Sequence, residues 1–157
     1  MKNNGKKISK LLDKYDRLYF RSIQSNSKTE IKQEGKPDKK LEKKLNRAEE
    51  ICRKALGLCR EAIANQSAAL DDLLIHCIFR LSDLLLIRGR KEEAEQLLGE
   101  IYDNRTAYLH TVIFTECLGN YGSILCESGR YDPAASVLSE MLTRLKSEIS
   151  EGSFPEE

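Results

Sequence analysis

Arg88–Leu98 reads RGRKEEAEQLL, and forty residues further on Ser128–Leu138 reads SGRYDPAASVL. In each, Gly-Arg is followed by Ala five positions after the glycine and Leu nine after it. Glycine permits the left-handed backbone that ends a helix, so each stretch reads as a helix end, a tight turn and a new helix start. Upstream of the first turn, LLIHCIFRLSDLLLI (residues 73–87) is almost apolar all round, which predicts the most buried helix of the body. Downstream, residues 91–103 predict a short helix with Ala94, Leu97, Leu98 and Ile101 inward and Glu92, Glu93 and Glu95 largely outward. A fifth helix is expected over about 107–127, ending at Gly129. The sixth starts with Asp132 as N-cap and Pro133 at its first position, where proline's missing N–H costs no internal bond. Ala134, Val137, Leu138, Met141, Leu142, Leu145 and Ile149 then form a broad apolar face.

The N-terminal half carries the same period. Leu41, Leu45, Ala48, Ile51 or Cys52, Ala55 or Leu56, Cys59, Ala62 and Ile63 stripe a helix from near Asp38 to Ala64. Asn65 and Ser67 interrupt it; Ser67 suits the next N-cap, and Asp71 and Asp72 favour the first turns of that helix. Ile8, Leu11, Leu12, Tyr15, Leu18 and Tyr19 predict a further helix over 8–22. Ser25–Lys40 is polar, contains Gly35 and Pro37, and reads as an exposed or disordered linker. The tail from Gly152 reads as loose. Nothing requires a strand. The expected organisation is all-α: a basic N-terminal helix and flexible linker over 1–40, a domain of stacked antiparallel helical hairpins over 41–150, and a loose tail over 151–157.

The chain's 157 residues suit one modest domain or a short stack of helical units. Its 26 Lys and Arg nearly balance its 25 Asp and Glu, yet residues 1–44 are net +8 and residues 45–157 net −7. Five cysteines, all within helical pattern, and no apolar signal-like run after MKNNGKKISKLL argue against a disulfide scaffold and for a reducing, cytoplasmic setting. No run of 18 apolar residues suggests membrane insertion.

A hairpin of two helices leaves apolar area exposed unless another stacks on it. Ile78, Leu81, Ser82, Leu85, Gly89, Ala94, Leu98 and Ile101 form one such unit, and Leu118, Tyr121, Gly122, Leu125, Gly129, Ala134, Leu138 and Met141 the next. These units resemble the tetratricopeptide repeat family over about residues 75–145, with a 40-residue separation in place of the commoner ~34. Tyr131 holds the aromatic position after the second turn, where the earlier unit has Glu92. The resemblance implies binding of a protein or peptide along the face formed by the first helix of each pair. It places His76, Phe79 and Asp83 nearest that face in one unit, and Glu116, Gly119, Asn120 and Ser123 in the next. They do not match the Lys, Arg and Asn clamp with which chaperone-associated members hold a C-terminal carboxylate.

Each residue also has a plainer reading: Phe79 as packing, His76 and His110 as ordinary helix histidines, Asp71 and Asp72 as favourable helix-start charges. Neither Cys52 with Cys59 nor His110 with Cys117 supplies a metal-ligand cluster, and His76 and Cys77 point about 100° apart on a helix. No phosphate loop, H-E-x-x-H or nucleophile elbow occurs. The expectation is a non-enzymatic protein-binding adaptor or regulatory module with no cofactor. The alternative is a structural assembly subunit of a larger complex, with or without RNA contact through Lys2, Lys6, Lys7, Lys10, Lys14, Arg17 and Arg21, where Tyr15, Tyr19 and Phe20 lie alongside and Asp13 and Asp16 interrupt; self-association is a separate option.

Overall fold

The structure is a computed structural model that describes residues 2–27, 39–65, 70–109 and 111–150. Its helices are α1 (Lys2–Ser27), α2 (Lys39–Ala64), α3 (Asp71–Ile87), α4 (Lys91–Asp103), α5 (Val112–Glu127) and α6 (Tyr131–Ser150), with a 3-10 turn at Arg105–Tyr108. Among the described residues there is no strand; α1 pairs with α2 in the first part of the chain, and α4 with α5 and α5 with α6 in the second, as antiparallel hairpins. The chain forms two compact units, residues 1–84 and 85–157.

The quoted glycines close the turns. Gly89 and Gly129 have φ of +71° and +73°, a conformation that costs other residues free energy. The hydrogen bonding is the same in both. The Gly89 and Arg90 amides donate to the Leu86 and Leu85 carbonyls at 3.0 and 2.9 Å, and the Gly129 and Arg130 amides to Cys126 and Leu125 at 3.0 and 2.9 Å. This is the Schellman arrangement, which satisfies carbonyls that a helix end otherwise leaves open. The next helix starts at once, because Arg90 and Arg130 give their carbonyls to the amides of Ala94 and Ala134.

Three boundaries differ from expectation. α1 is longer than residues 8–22 at both ends. Its first turns are helical beyond the apolar stripe because Gly5 lies against Leu70 and Leu73. Its last turn takes Ser25–Ser27 from the expected linker, whose residues 28–38 lie outside the described residues, as do Ser67, His110 and residues 151–157. α5 starts at Val112 and not near 107, since Thr111 is extended (φ −103°, ψ 131°) and Arg144 Nη2 takes the Leu109 carbonyl at 2.7 Å. α6 starts at Tyr131, which makes Pro133 its third residue and not its first. The proline still lies in the first turn, where its missing N–H donor costs no intrahelical bond.

In the first unit, Ile8, Leu12 and Tyr15 of α1 are buried with the α2 stripe Leu45, Ala48, Ile51, Cys52, Ala55, Leu56 and Cys59. From α3, Leu74, Ile75, Cys77, Ile78 and Leu81 complete the core. Full burial of one such aliphatic side chain stabilises by roughly 1.5–3 kcal/mol, so the short stripe of α1 contributes several. Cys52 Sγ donates to the Cys77 carbonyl at 3.3 Å, and the Cys59 and Cys77 sulfurs lie 3.8 Å apart. All five cysteines are free thiols, and burial pushes those of Cys52 and Cys117 up to about 12, so both stay protonated as small core groups.

In the second unit, α5 packs between α4 and α6. Phe114, Leu118, Ile124 and Leu125 of α5, Ala94, Leu98 and Ile101 of α4, and Ala134 and Val137 of α6 belong to its buried set. At Gly122 the Leu138 side chain of α6 lies directly against α5: a Cβ built there would sit 2.5 Å from Leu138 Cδ2 and 2.6 Å from its Cγ. At Gly119 the same atom would meet only the flexible Met141 sulfur at 3.2 Å. Gly122→Ala is therefore expected to destabilise by about 1–2 kcal/mol despite its gain in helix propensity, whereas Gly119→Ala is neutral or stabilising by up to ~1 kcal/mol. Urea unfolding of both variants checks this, and equal effects at the two positions would contradict the packing.

Candidate partner-binding site

The positions that the repeat resemblance assigns to a ligand divide between the two units. His76, Phe79 and Asp83 belong to the first and Glu116, Asn120 and Ser123 to the second.

In the first unit the face is already engaged by α1. Helical spacing sets His76, Arg80 and Asp83 along one side of α3, and Tyr15, Asp16 and Tyr19 along the facing side of α1. Arg80 makes a bidentate pair with Asp16, Nε to Oδ1 at 2.7 Å and Nη2 to Oδ2 at 2.8 Å. The fork geometry makes this a directional contact, and the carboxylate raises the guanidinium's already high pKa. Tyr15 Oη donates to the Arg80 carbonyl at 2.8 Å, and Tyr19 Oη donates to Asp83 Oδ2. Tyr15 and Tyr19 stack with ring centroids 5.4 Å apart. Burial pushes both phenols up, and for Tyr19 the bond to Asp83 adds to it, so both remain O–H donors.

Arg80 Nη1 also reaches His76 Nδ1 at 3.2 Å. Arginine can only donate, so this ring nitrogen accepts and the imidazole is neutral. Burial lowers the His76 pKa, the nearby Arg80 charge lowers it further, and Asp72 and Asp16 oppose the shift. Phe79 is half-buried, and its carbonyl accepts from Ser82 Oγ at 2.8 Å. The residues that hold this face together, Asp16, Tyr19 and Arg80, are not among those the repeat pattern points to. Their signal is present in the sequence: a single arginine inside an almost apolar helix requires a partner, and Asp16 sits between two tyrosines of an apolar stripe.

In the second unit, Glu116 and Ser123 are exposed and Asn120 is half-buried on α5. Ser123 Oγ donates to the Gly119 carbonyl of its own helix at 2.9 Å. Neighbouring polar groups are tied across the unit: Lys91 to Glu127, Arg130 to Glu95, and Thr115 Oγ1 to Glu148 at 2.8 Å. Arg144 lies over the Phe114 ring at 4.8 Å. The broad apolar face expected of α6 is only partly covered. Ala134 and Val137 are buried, Leu138, Met141 and Leu145 half-buried, and Leu142 and Ile149 exposed at 53% and 65%.

Among the described residues, no group of three or more His, Cys, Asp or Glu side chains could hold a metal ion. None of the described helices is long and apolar enough to cross a membrane. No family model matches the chain, nor does any curated protein or solved structure compared with it.

Two outcomes follow from the α1–α3 contact. Asp16→Asn leaves Arg80 without its charge partner and is expected to cost roughly 1–3 kcal/mol, with α1 amides exchanging hydrogen faster while those of α2 keep their protection. Loss of protection spread evenly over both helices would argue against a local latch. Because its folded pKa is lowered, His76 contributes stability that is present above its unfolded value of about 6.5 and lost as pH falls below it. The stability drop between about pH 7.5 and pH 5.5 is therefore expected to shrink in His76→Gln, measured by denaturant unfolding at both pH values.

Proposed function

We propose that the chain is a non-enzymatic protein-binding module, an adaptor or regulatory unit of the helical-repeat type, similar to tetratricopeptide repeats and acting in the cytoplasm. The observation that carries the reading is the apolar face of α6, where Leu142 and Ile149 stay exposed beside half-buried Leu138, Met141 and Leu145. Exposed apolar side chains grouped on one helix face mark an interaction surface, and this face continues the apolar pattern of a helix that is covered by another. The duplicated Schellman turns support the repeat reading. So does the α3 face in the first unit, which seats an amphipathic helix through an arginine fork and two tyrosine hydroxyls. Glu116, Asn120 and Ser123 offer the corresponding polar positions in the second unit, suited to a helix or mixed polar and apolar peptide.

The test is recovery of a partner from cell extract on immobilised protein, with two variants compared against the parent. One changes the α5 positions (Glu116→Lys, Asn120→Ala, Ser123→Lys) and the other the α6 face (Leu142→Glu, Ile149→Lys). Each is expected to keep its helical circular dichroism, since the altered side chains are exposed or half-buried. Loss of the partner with the α6 variant is the expected result, and additional loss with the α5 variant would extend the surface to the predicted groove. A partner recovered equally by all three proteins would sink the proposed surface.

A further inference from the structure

We propose that the outer face of α1 is a docking surface for the phosphate backbone of a nucleic-acid duplex. At 100° per residue, Lys6, Lys7, Lys10, Lys14 and Arg17 fall within an arc of about 100° on α1, and no other residue of 4–20 falls inside it. All five are exposed, and they extend over about 17 Å of helix. The arc lies roughly opposite Ile8, Leu12 and Tyr15, which are buried in the core of the first unit.

In the linear sequence Asp13 and Asp16 break this basic run, but on the folded helix they do not. Asp16 points to the other side and is held by Arg80. Asp13 lies at the margin of the arc, and its carbonyl accepts from Arg17 Nε at 3.1 Å. The unit as a whole, residues 1–84, carries 19 basic and 12 acidic side chains, a net +7.

The kind of partner follows from what the ridge lacks. Among residues 4–20 the arc itself holds no apolar side chain to insert into a bilayer: Ile8, Leu12 and Tyr15 are buried in the core, and the exposed Phe20 lies about 40° outside the arc. It has no hydrophobic patch to seal an interface with an acidic protein, and exposed ion pairs alone bind proteins weakly. A duplex differs, since each phosphate neutralised releases condensed counterions, and cations without other contacts then suffice for binding. With no aromatic or amide side chain in the arc among residues 4–20 to reach base edges, binding is to the backbone and independent of sequence.

Fluorescence anisotropy of a labelled 24-base-pair DNA duplex with the full chain, across a salt series, tests this. Five phosphate contacts predict a slope of log affinity against log salt of about −4.5. Lys6→Gln/Lys10→Gln/Lys14→Gln is expected to lower the slope to about −2 and weaken binding at least about tenfold at ~50 mM salt. Lys43→Gln/Lys54→Gln/Lys146→Gln, with the same loss of charge elsewhere, is expected to bind nearly as the parent does. Circular dichroism and thermal unfolding establish that both variants are folded. The proposal is overturned by absence of binding at ~20 mM salt, by equal weakening in the two variants, or by capture on phosphatidylserine vesicles with none on the duplex.

Discussion

Two glycines with positive φ set the course of the chain in its second half. At residues 89 and 129 a left-handed backbone turns the last carbonyls of one helix onto the amides that lead into the next, so the reversal takes only a few residues. After residue 129 a connection that short sends α6 back along α5. The small residues near each turn then become necessary. Ala94 and Ala134 are fully buried, and Gly122 lets Leu138 approach to a distance no Cβ would allow. The ion pairs Lys91–Glu127 and Arg130–Glu95 follow from the same repetition, each linking a turn to a neighbouring helix of the unit.

The first unit is held differently. Its polar contacts are concentrated on the seam between α1 and α3, where one arginine satisfies a carboxylate, a histidine nitrogen and, through its carbonyl, a tyrosine hydroxyl. Such a seam gives register as well as energy, because an arginine fork and two phenols accept few alternative alignments of the helices. It also sorts the charges of α1. One carboxylate, Asp16, is drawn to the inner side, and the lysines are left together on the outer side with Asp13 at their margin, so a helix that is mixed in sequence becomes predominantly basic on its exposed face.

The helices were legible because apolar spacing and turn chemistry act locally. The stripe Leu45, Ala48, Cys52, Ala55 and Cys59 needs no partner to declare a helix, and Gly89 and Gly129 need only the preceding turn to end one. The boundaries that moved were those set by distant groups. Arg144 takes the Leu109 carbonyl from 35 residues away and so delays α5, and Leu70 gives the start of α1 something to lie against. The candidate site shows the same division. Repeat spacing pointed to His76 and Asp83, whereas Arg80, Asp16 and Tyr19 became part of that face only when α1 lay across α3.

By itself the sequence determined an all-helical chain, the positions of its two sharp turns and the basic character of its beginning, since each depends on residues within a few positions of one another. Tertiary structure decided which charges are spent and which remain. Asp16 is removed from the surface charge by an arginine 64 residues away, and the apolar pattern of α6 meets a neighbour wide enough to cover only part of it. The physical reason is that spacing along a helix specifies a direction around its axis, while what lies in that direction depends on how distant helices pack.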